Sequence, residues 1–193
     1  GHLGGLSLAV PDAIRALGTA QMPVILVETV GVGQMEVDVA RATDTTVVVM
    51  NPGWGDSMQA NKAGLLEIAD IFVINKADRP GVKEARRDLE QMLDLSHLGD
   101  WRPPIVETVA AKGEGTDGFW AAVADHRAYL IEANLLAERR KVRLDDLLAQ
   151  VVAAMVERRV GELRQSPDYE ALMTKVANGS MDPYGAAHQL LGD

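Results

Sequence analysis

The tetrapeptide Asn75-Lys76-Ala77-Asp78 stands directly behind the apolar run Asp70 to Ile74 (DIFVI). Open parallel sheets bind ligands at the carboxyl ends of their strands, so position and composition agree. An Asp carboxylate offers two coplanar acceptors that match the adjacent N1–H and N2–H2 donors of guanine. Asn can serve the acceptor edge of the base, and a Lys stem can lie along its flat face. Adenine lacks that donor pair. The same residues equally suit a solvated turn after a strand.

Three further sets follow apolar runs. In Glu28-Thr29-Val30-Gly31-Val32-Gly33-Gln34 a strand-end carboxylate precedes glycines whose N–H groups can approach a phosphate. That suits Mg²⁺ held through water and the terminal phosphate of a nucleotide, with Glu28 on the metal-bound water and Gln34 orienting an attacking water. A surface acid followed by a tight turn fits as well. The Gly-rich loop from Asn51 to Gly64 holds Asp56 and Lys62, which can pair with charge at a nucleotide site. Trp54 and Met58 there also suit packing or surface roles, and Lys62 a solvated helix cation. In Val109 to Gly115 (VAAKGEG) the backbone N–H groups at Ala110, Ala111 and Lys112 can reach the guanine carbonyl.

The elements that must carry these residues read as βαβ units. Val24–Val30, Thr45–Met50, Asp70–Ile74 and Pro104–Val109 are continuous apolar runs of strand length, as expected for parallel strands covered on both faces. Helices are predicted at Pro11–Ala20, Ser57–Ala69 and Val82–Leu93. After Gly118 the strand signals stop. Phe119 to Leu163 reads as one or two long helices, with apolar residues near every third or fourth place from Leu130 through Leu144, Leu148, Val152, Met155 and Val160. Such an arm either packs back on its own sheet or pairs with a symmetry mate. Ser166 caps a helix from Pro167, and a last short helix ends at Leu191.

The 193 residues are 47% hydrophobic and carry a net charge of −9, with no stretch basic enough to offset that field, which argues against nucleic acid as a partner. No apolar run is long enough for a membrane span, and the N-terminus lacks signal-peptide character, so a soluble cytoplasmic protein is expected. With no cysteine, disulfides, thiolate metal sites and Cys nucleophiles are excluded, and the four histidines have no ligand spacing.

Taken together, LVETVGVGQ, GDSMQANKAGLLEIAD, NKAD and the closing SPDYEALMTKVANGSMDPYGAA resemble the MeaB/ArgK family of P-loop GTPases, the methylmalonyl-CoA mutase-associated proteins also labelled lysine/arginine/ornithine transport ATPases. The resemblance spans essentially the whole chain. It implies a P-loop NTPase-type α/β parallel sheet over residues 1–118 and an all-helical dimerisation arm over 119–193. It implies GTP or GDP and Mg²⁺ as ligands, and a homodimer that gates adenosylcobalamin loading and protection of methylmalonyl-CoA mutase. Glu28 and Gly31 fall at the Mg²⁺ and γ-phosphate motif, and Asp56 and Lys62 at a nucleotide-responsive switch. Asn75, Lys76 and Asp78 fall at the guanine readers, with Ala111 as the backbone donor to the base. The 193 residues contain no G-x-x-x-x-G-K-S/T sequence, so the chain resembles the C-terminal portion of such a protein, its sheet short of an N-terminal strand and phosphate loop, and is expected to be catalytically inactive alone. The alternatives are a non-catalytic homodimeric interaction module and an ATPase component of arginine/ornithine transport.

Overall fold

The computed structural model describes residues 9–29, 40–53, 64, 66–96 and 99–192. After helix α1 (Ala9–Thr19) come strands β1 (Val47–Met50), β2 (Ile71–Asn75) and β3 (Ile105–Thr108), with α2 (Val82–Asp94) between β2 and β3. Helices α3 (Thr116–Glu132), α4 (Leu135–Arg164), α5 (Pro167–Ala177) and α6 (Pro183–Leu191) follow. The strands form one parallel sheet in the order β1-β2-β3, with Val47 opposite Ile71, Phe72 opposite Ile105 and Asn75 opposite Thr108.

Alternation of side chains along a strand divides the core into two layers. Phe72 and Ile74 join Met50 on one face, where Leu89, Met92 and Leu93 of α2 cover them. Ile71 and Val73 meet Ala122 of α3 on the other, with Phe119 and Val123 packed around them. Burial from both sides explains why DIFVI is an unbroken apolar run rather than an alternating one.

One expected strand is corrected. Residues 24–29 form no ladder with any described strand, and Val24 and Leu26 are 56% and 77% exposed; Val30 lies outside the described residues. β-branched residues favour a pleated surface, but that preference does not supply a neighbour, and no described strand pairs with this segment. The other three strands fall where the apolar runs place them: the first and third are each two residues shorter than expected, and the second is shifted by one residue to Ile71–Asn75.

The predicted long helical stretch is two helices. Asn134, between α3 and α4, has φ +56°, a left-handed conformation that Asn tolerates better than most residues and that ends a helix. Ser166 caps α5 by accepting the Tyr169 N–H at 3.3 Å, and Asp182 caps α6 by accepting from Tyr184 and Gly185.

The chain divides into two compact units, residues 1–143 and 144–193. The first holds the sheet, α1, α2, α3 and the start of α4. The second holds the rest of α4 with α5 and α6, which contact each other and contribute Leu172 and Ala186 as buried residues. Along α4, Leu144, Leu148, Val152, Met155 and Val160 are each between 41% and 62% exposed. No helix among the described residues is long and apolar enough to cross a membrane.

Candidate functional site

The carboxyl ends of β2 and β3 lie side by side, because Asn75 and Thr108 are register partners. Past Asn75 the backbone turns sharply, with Lys76 at φ +58°. The Ala77 N–H donates to the Thr108 carbonyl at 2.9 Å, and the Arg79 N–H closes the turn on the Lys76 carbonyl at 3.0 Å. Lys76 and Asp78 are left exposed.

Asn75 does not simply face solvent. Its Oδ1 accepts the Ala110 N–H at 3.1 Å and the Thr108 hydroxyl at 3.2 Å. An amide N–H can only donate, so the pair fixes which end of the Asn75 carboxamide is oxygen. Its Nδ2 makes no hydrogen bond among the described residues and remains a donor.

Residues 109–115 fold back on themselves. The Val109 N–H donates to the Glu114 carbonyl at 3.0 Å in an antiparallel bridge around a single 3₁₀ turn, Ala110–Lys112. The Lys112 N–H donates to Val109 at 2.8 Å, and the Gly113 N–H to Ala110 at 3.1 Å. With Ala110 engaged by Asn75, Ala111 is the residue of 110–113 whose N–H makes no hydrogen bond among the described residues. The fold-back depends on Gly115, at φ +76°: a Cβ there would lie far inside contact distance of the Glu107 carbonyl oxygen and 3.1 Å from Thr108 Cα.

Across the gap between the two turns, Lys112 Nζ lies 3.5 Å from Asp78 Oδ2, with the side chains 57% and 45% exposed. A pair this open contributes little to stability. Two turns thus present a donor amide at Asn75, a donor N–H at Ala111 and an acceptor carboxylate at Asp78.

Glu28 lies at the end of the extended residues 24–29 and is exposed. It makes no ion pair with a described residue. Its accessible oxygen pair suits Mg²⁺ bound through water, since that ion gives up its hydration reluctantly. No group of three or more metal-ligating side chains occurs among the described residues. Gly31, Gln34, Asp56 and Lys62 lie outside the described residues.

At the opposite end of the strands sits a polar cluster that motif reading misses. Asp70, just ahead of β2, accepts the Thr46 N–H at 2.8 Å and a guanidinium N–H of Arg139 at 3.2 Å. His126 Nε2 approaches Asp70 Oδ1 to 3.1 Å, while its Nδ1 lies 2.9 Å from the Thr45 hydroxyl. Trp101 packs 4.8 Å from the His126 ring and donates to the Asp70 carbonyl at 2.8 Å. Burial works against the Asp70 charge, but His126, the Thr46 N–H and Arg139 outweigh it and hold the carboxyl below its ordinary range. Asp44, bound by Arg140 and Arg143 at 2.6 and 3.0 Å, is likewise lowered against its own burial. His126 is fully buried, so the cluster secures the start of α4 and offers no substrate access. No local signal marks it, because its members come from five separate stretches of chain.

Comparison with known proteins gives the fold and the family. The fold is that of the P-loop NTPases: the solved crystal structure of a LAO/AO transport system kinase superposes with a TM-score of 0.67 at 27% identity, over 94% of this chain and 60% of that one. The model of the family described as methylmalonyl Co-A mutase-associated GTPase MeaB matches residues 1–165. A Pyrococcus horikoshii protein carrying a GTPase name is 44% identical over 99% of this chain and 61% of its own length. GTPase ArgK of Escherichia coli is 32% identical over 95% of this chain and 53% of its own. The mouse methylmalonic aciduria type A homolog, mitochondrial, is 32% identical over 99% and 48%. The chain belongs to the MeaB family of mutase-associated GTPases. It spans about three fifths of the length of the first of these relatives.

Proposed function

We propose that the protein carrying this chain binds guanine nucleotides through Asn75, Lys76, Asp78 and the Ala110–Lys112 turn and hydrolyses GTP. In this reading Glu28 holds Mg²⁺ through water, Gly31 meets the γ-phosphate and Gln34 orients the attacking water. Asp56 and Lys62 act as the switch charges. The change of nucleotide state gates adenosylcobalamin loading and protection of methylmalonyl-CoA mutase in the cytoplasm. Support for the nucleotide rests on one observation above others: Asn75 Nδ2, the Ala111 N–H and the Asp78 carboxylate are left available on adjacent turns while the neighbouring amides are engaged. That donor and acceptor set matches the carbonyl and ring nitrogen on one edge of guanine and the two N–H groups on the other. The family description and the name of the mouse relative support the mutase as partner.

The 193 residues alone contain no phosphate-loop sequence. Phosphoryl transfer depends on positioning and charge stabilisation that such a loop largely supplies, so on this reading they do not turn over GTP by themselves. A transport ATPase draws support only from the transport name that the solved neighbour carries, and adenine offers Asp78 no adjacent donor pair.

A second reading, a homodimeric interaction module, is favoured by the exposed apolar stripe on α4. The two readings are compatible: residues 1–118 are the GTPase part and 119–193 the helical region, whose stripe pairs two copies. Glu28→Ala in the full-length protein tests the enzymatic part. It is expected to slow GTP hydrolysis roughly tenfold or more while changing GDP affinity by less than about threefold, because Glu28 serves the metal water rather than the base. Unchanged hydrolysis would remove Glu28 from the mechanism.

A further inference from the structure

We propose that Arg86 closes the outer edge of β3 against strand addition, a guard that keeps two copies of this protein from pairing edge to edge. The inference is independent of the guanine reading and concerns a side of the sheet that the candidate site does not use.

Among the described residues β3 has a neighbour on one side only, which is β2. Successive backbone groups of a strand turn to opposite edges. The Pro104 carbonyl accepts the Phe72 N–H at 2.9 Å, so the next residue, Ile105, turns its N–H and carbonyl outwards, and Glu107 does the same. A row of outward backbone groups is a template for a further strand. Arg86, Leu93, Pro103, Pro104 and Ile105 also line an open groove of about 310 Å³ beside this edge, so an added strand would find apolar surface to bury.

Arg86 occupies the template. It stands on α2 with all three guanidinium nitrogens engaged: Nη2 donates to the Ile105 carbonyl at 3.0 Å, Nη1 to Glu90 at 3.2 Å and Nε to the Glu107 carboxylate. The two carboxylates aim the planar fork, so that its remaining N–H falls on the outward carbonyl. The other outward carbonyl, that of Glu107, lies against Gly115, where a Cβ would collide with it. Ahead of the strand, Pro103 and Pro104 have no N–H to offer a partner. Prolines and charge gathered on one edge are the means by which sheets avoid edge pairing, and Arg86 is the member of this set held by side-chain contacts alone.

The test compares the full-length protein with Arg86→Met, which keeps an apolar stem but no donor, and with Arg86→Met combined with Glu107→Pro. The Glu107 N–H faces outwards, so Glu107→Pro costs no bond to β2 and obstructs an incoming strand. In sedimentation velocity, Arg86→Met should self-associate at about one tenth of the concentration the parent needs, or less, the scale of one charged hydrogen bond no longer held within the chain. Hydrogen exchange at the Ile105 and Glu107 amides should slow as the concentration of Arg86→Met rises, and the double variant should return to the association of the parent. Loss of folded structure speeds exchange, so a slowing reports pairing rather than instability. Arg86→Lys, whose ammonium lacks the planar fork, serves with the same readouts if Arg86→Met fails to fold. A folded variant that associates no more than the parent, or whose association Glu107→Pro leaves untouched, overturns the proposal.

Discussion

Asp70 and Arg139 stand 69 residues apart in the chain and meet at 3.2 Å, joining the loop ahead of β2 to the second turn of α4. Asp70 is the group whose ionisation matters there, since its carboxyl is held below the ordinary aspartate range. A carboxyl whose pKa is lower folded than unfolded adds stability that is present above the unfolded value and is lost as the pH falls through the folded one. Arg139→Met should therefore destabilise the protein by about 1 to 3 kcal/mol near pH 7, the cost of removing a charged hydrogen-bond partner. The deficit should shrink once both forms are taken below the usual aspartate range. Urea unfolding of the two proteins at neutral and at strongly acid pH measures this, and an equal deficit at both would show that Arg139 acts through packing alone.

Gly115 and Gly113 separate close approach from backbone conformation. Both have positive φ, +76° and +74°, but a Cβ at Gly113 meets nothing within 4 Å while one at Gly115 runs into the end of β3. Gly113→Ala should cost about 1 to 2 kcal/mol, the left-handed penalty alone. Gly115→Ala should cost about 2 to 4 kcal/mol because overpacking adds to it. Thermal unfolding of the two variants decides the matter, and equal losses would mean that the 109–115 fold-back gives way without resistance.

Much of this fold was legible in the sequence for identifiable reasons. The strand DIFVI announces itself because both of its faces are buried, and Ser166-Pro167 marks a helix start through a hydroxyl acceptor followed by a residue with no N–H to satisfy. Asn75 and Asp78 stand out as candidate site residues from their place after a strand. The hydrogen bond between Thr108 and Asn75 was not legible, since it depends on the register that sets the two residues, 33 apart in the chain, against each other. The close approach at Gly115 and the Asp70–His126–Arg139 cluster were hidden for the same reason. Residues 24–29 misled because an apolar β-branched run states a preference for a pleated surface and does not supply a partner.

The stripe on α4 carries its own expectation. Leu148 is 62% exposed, so Leu148→Glu should leave the folded stability of a single chain nearly unchanged. In a seam between two copies, the same carboxylate would lose its hydration without a partner, at about 3 kcal/mol or more, or over a hundredfold in the dimer dissociation constant. Sedimentation equilibrium should find the parent dimeric at tens of micromolar and Leu148→Glu monomeric. A monomeric parent, or a variant that stays dimeric, would take this stripe out of the interface.

Guanine recognition by the two turns at the ends of β2 and β3 is the central claim, and Asp78→Asn in the full-length protein tests it most directly. The substitution turns one acceptor into a donor while nearly preserving shape. Calorimetric titration should show the parent preferring GDP to ADP. The variant should lose about 1.5 to 3 kcal/mol for GDP, the scale of a charged hydrogen bond left unmade. It should at the same time gain affinity for xanthosine diphosphate, whose base carries a carbonyl where guanine carries its amino group. Equal GDP affinity in parent and variant, with no gain for the xanthine nucleotide, would contradict the assignment of Asp78 and of the site built around it.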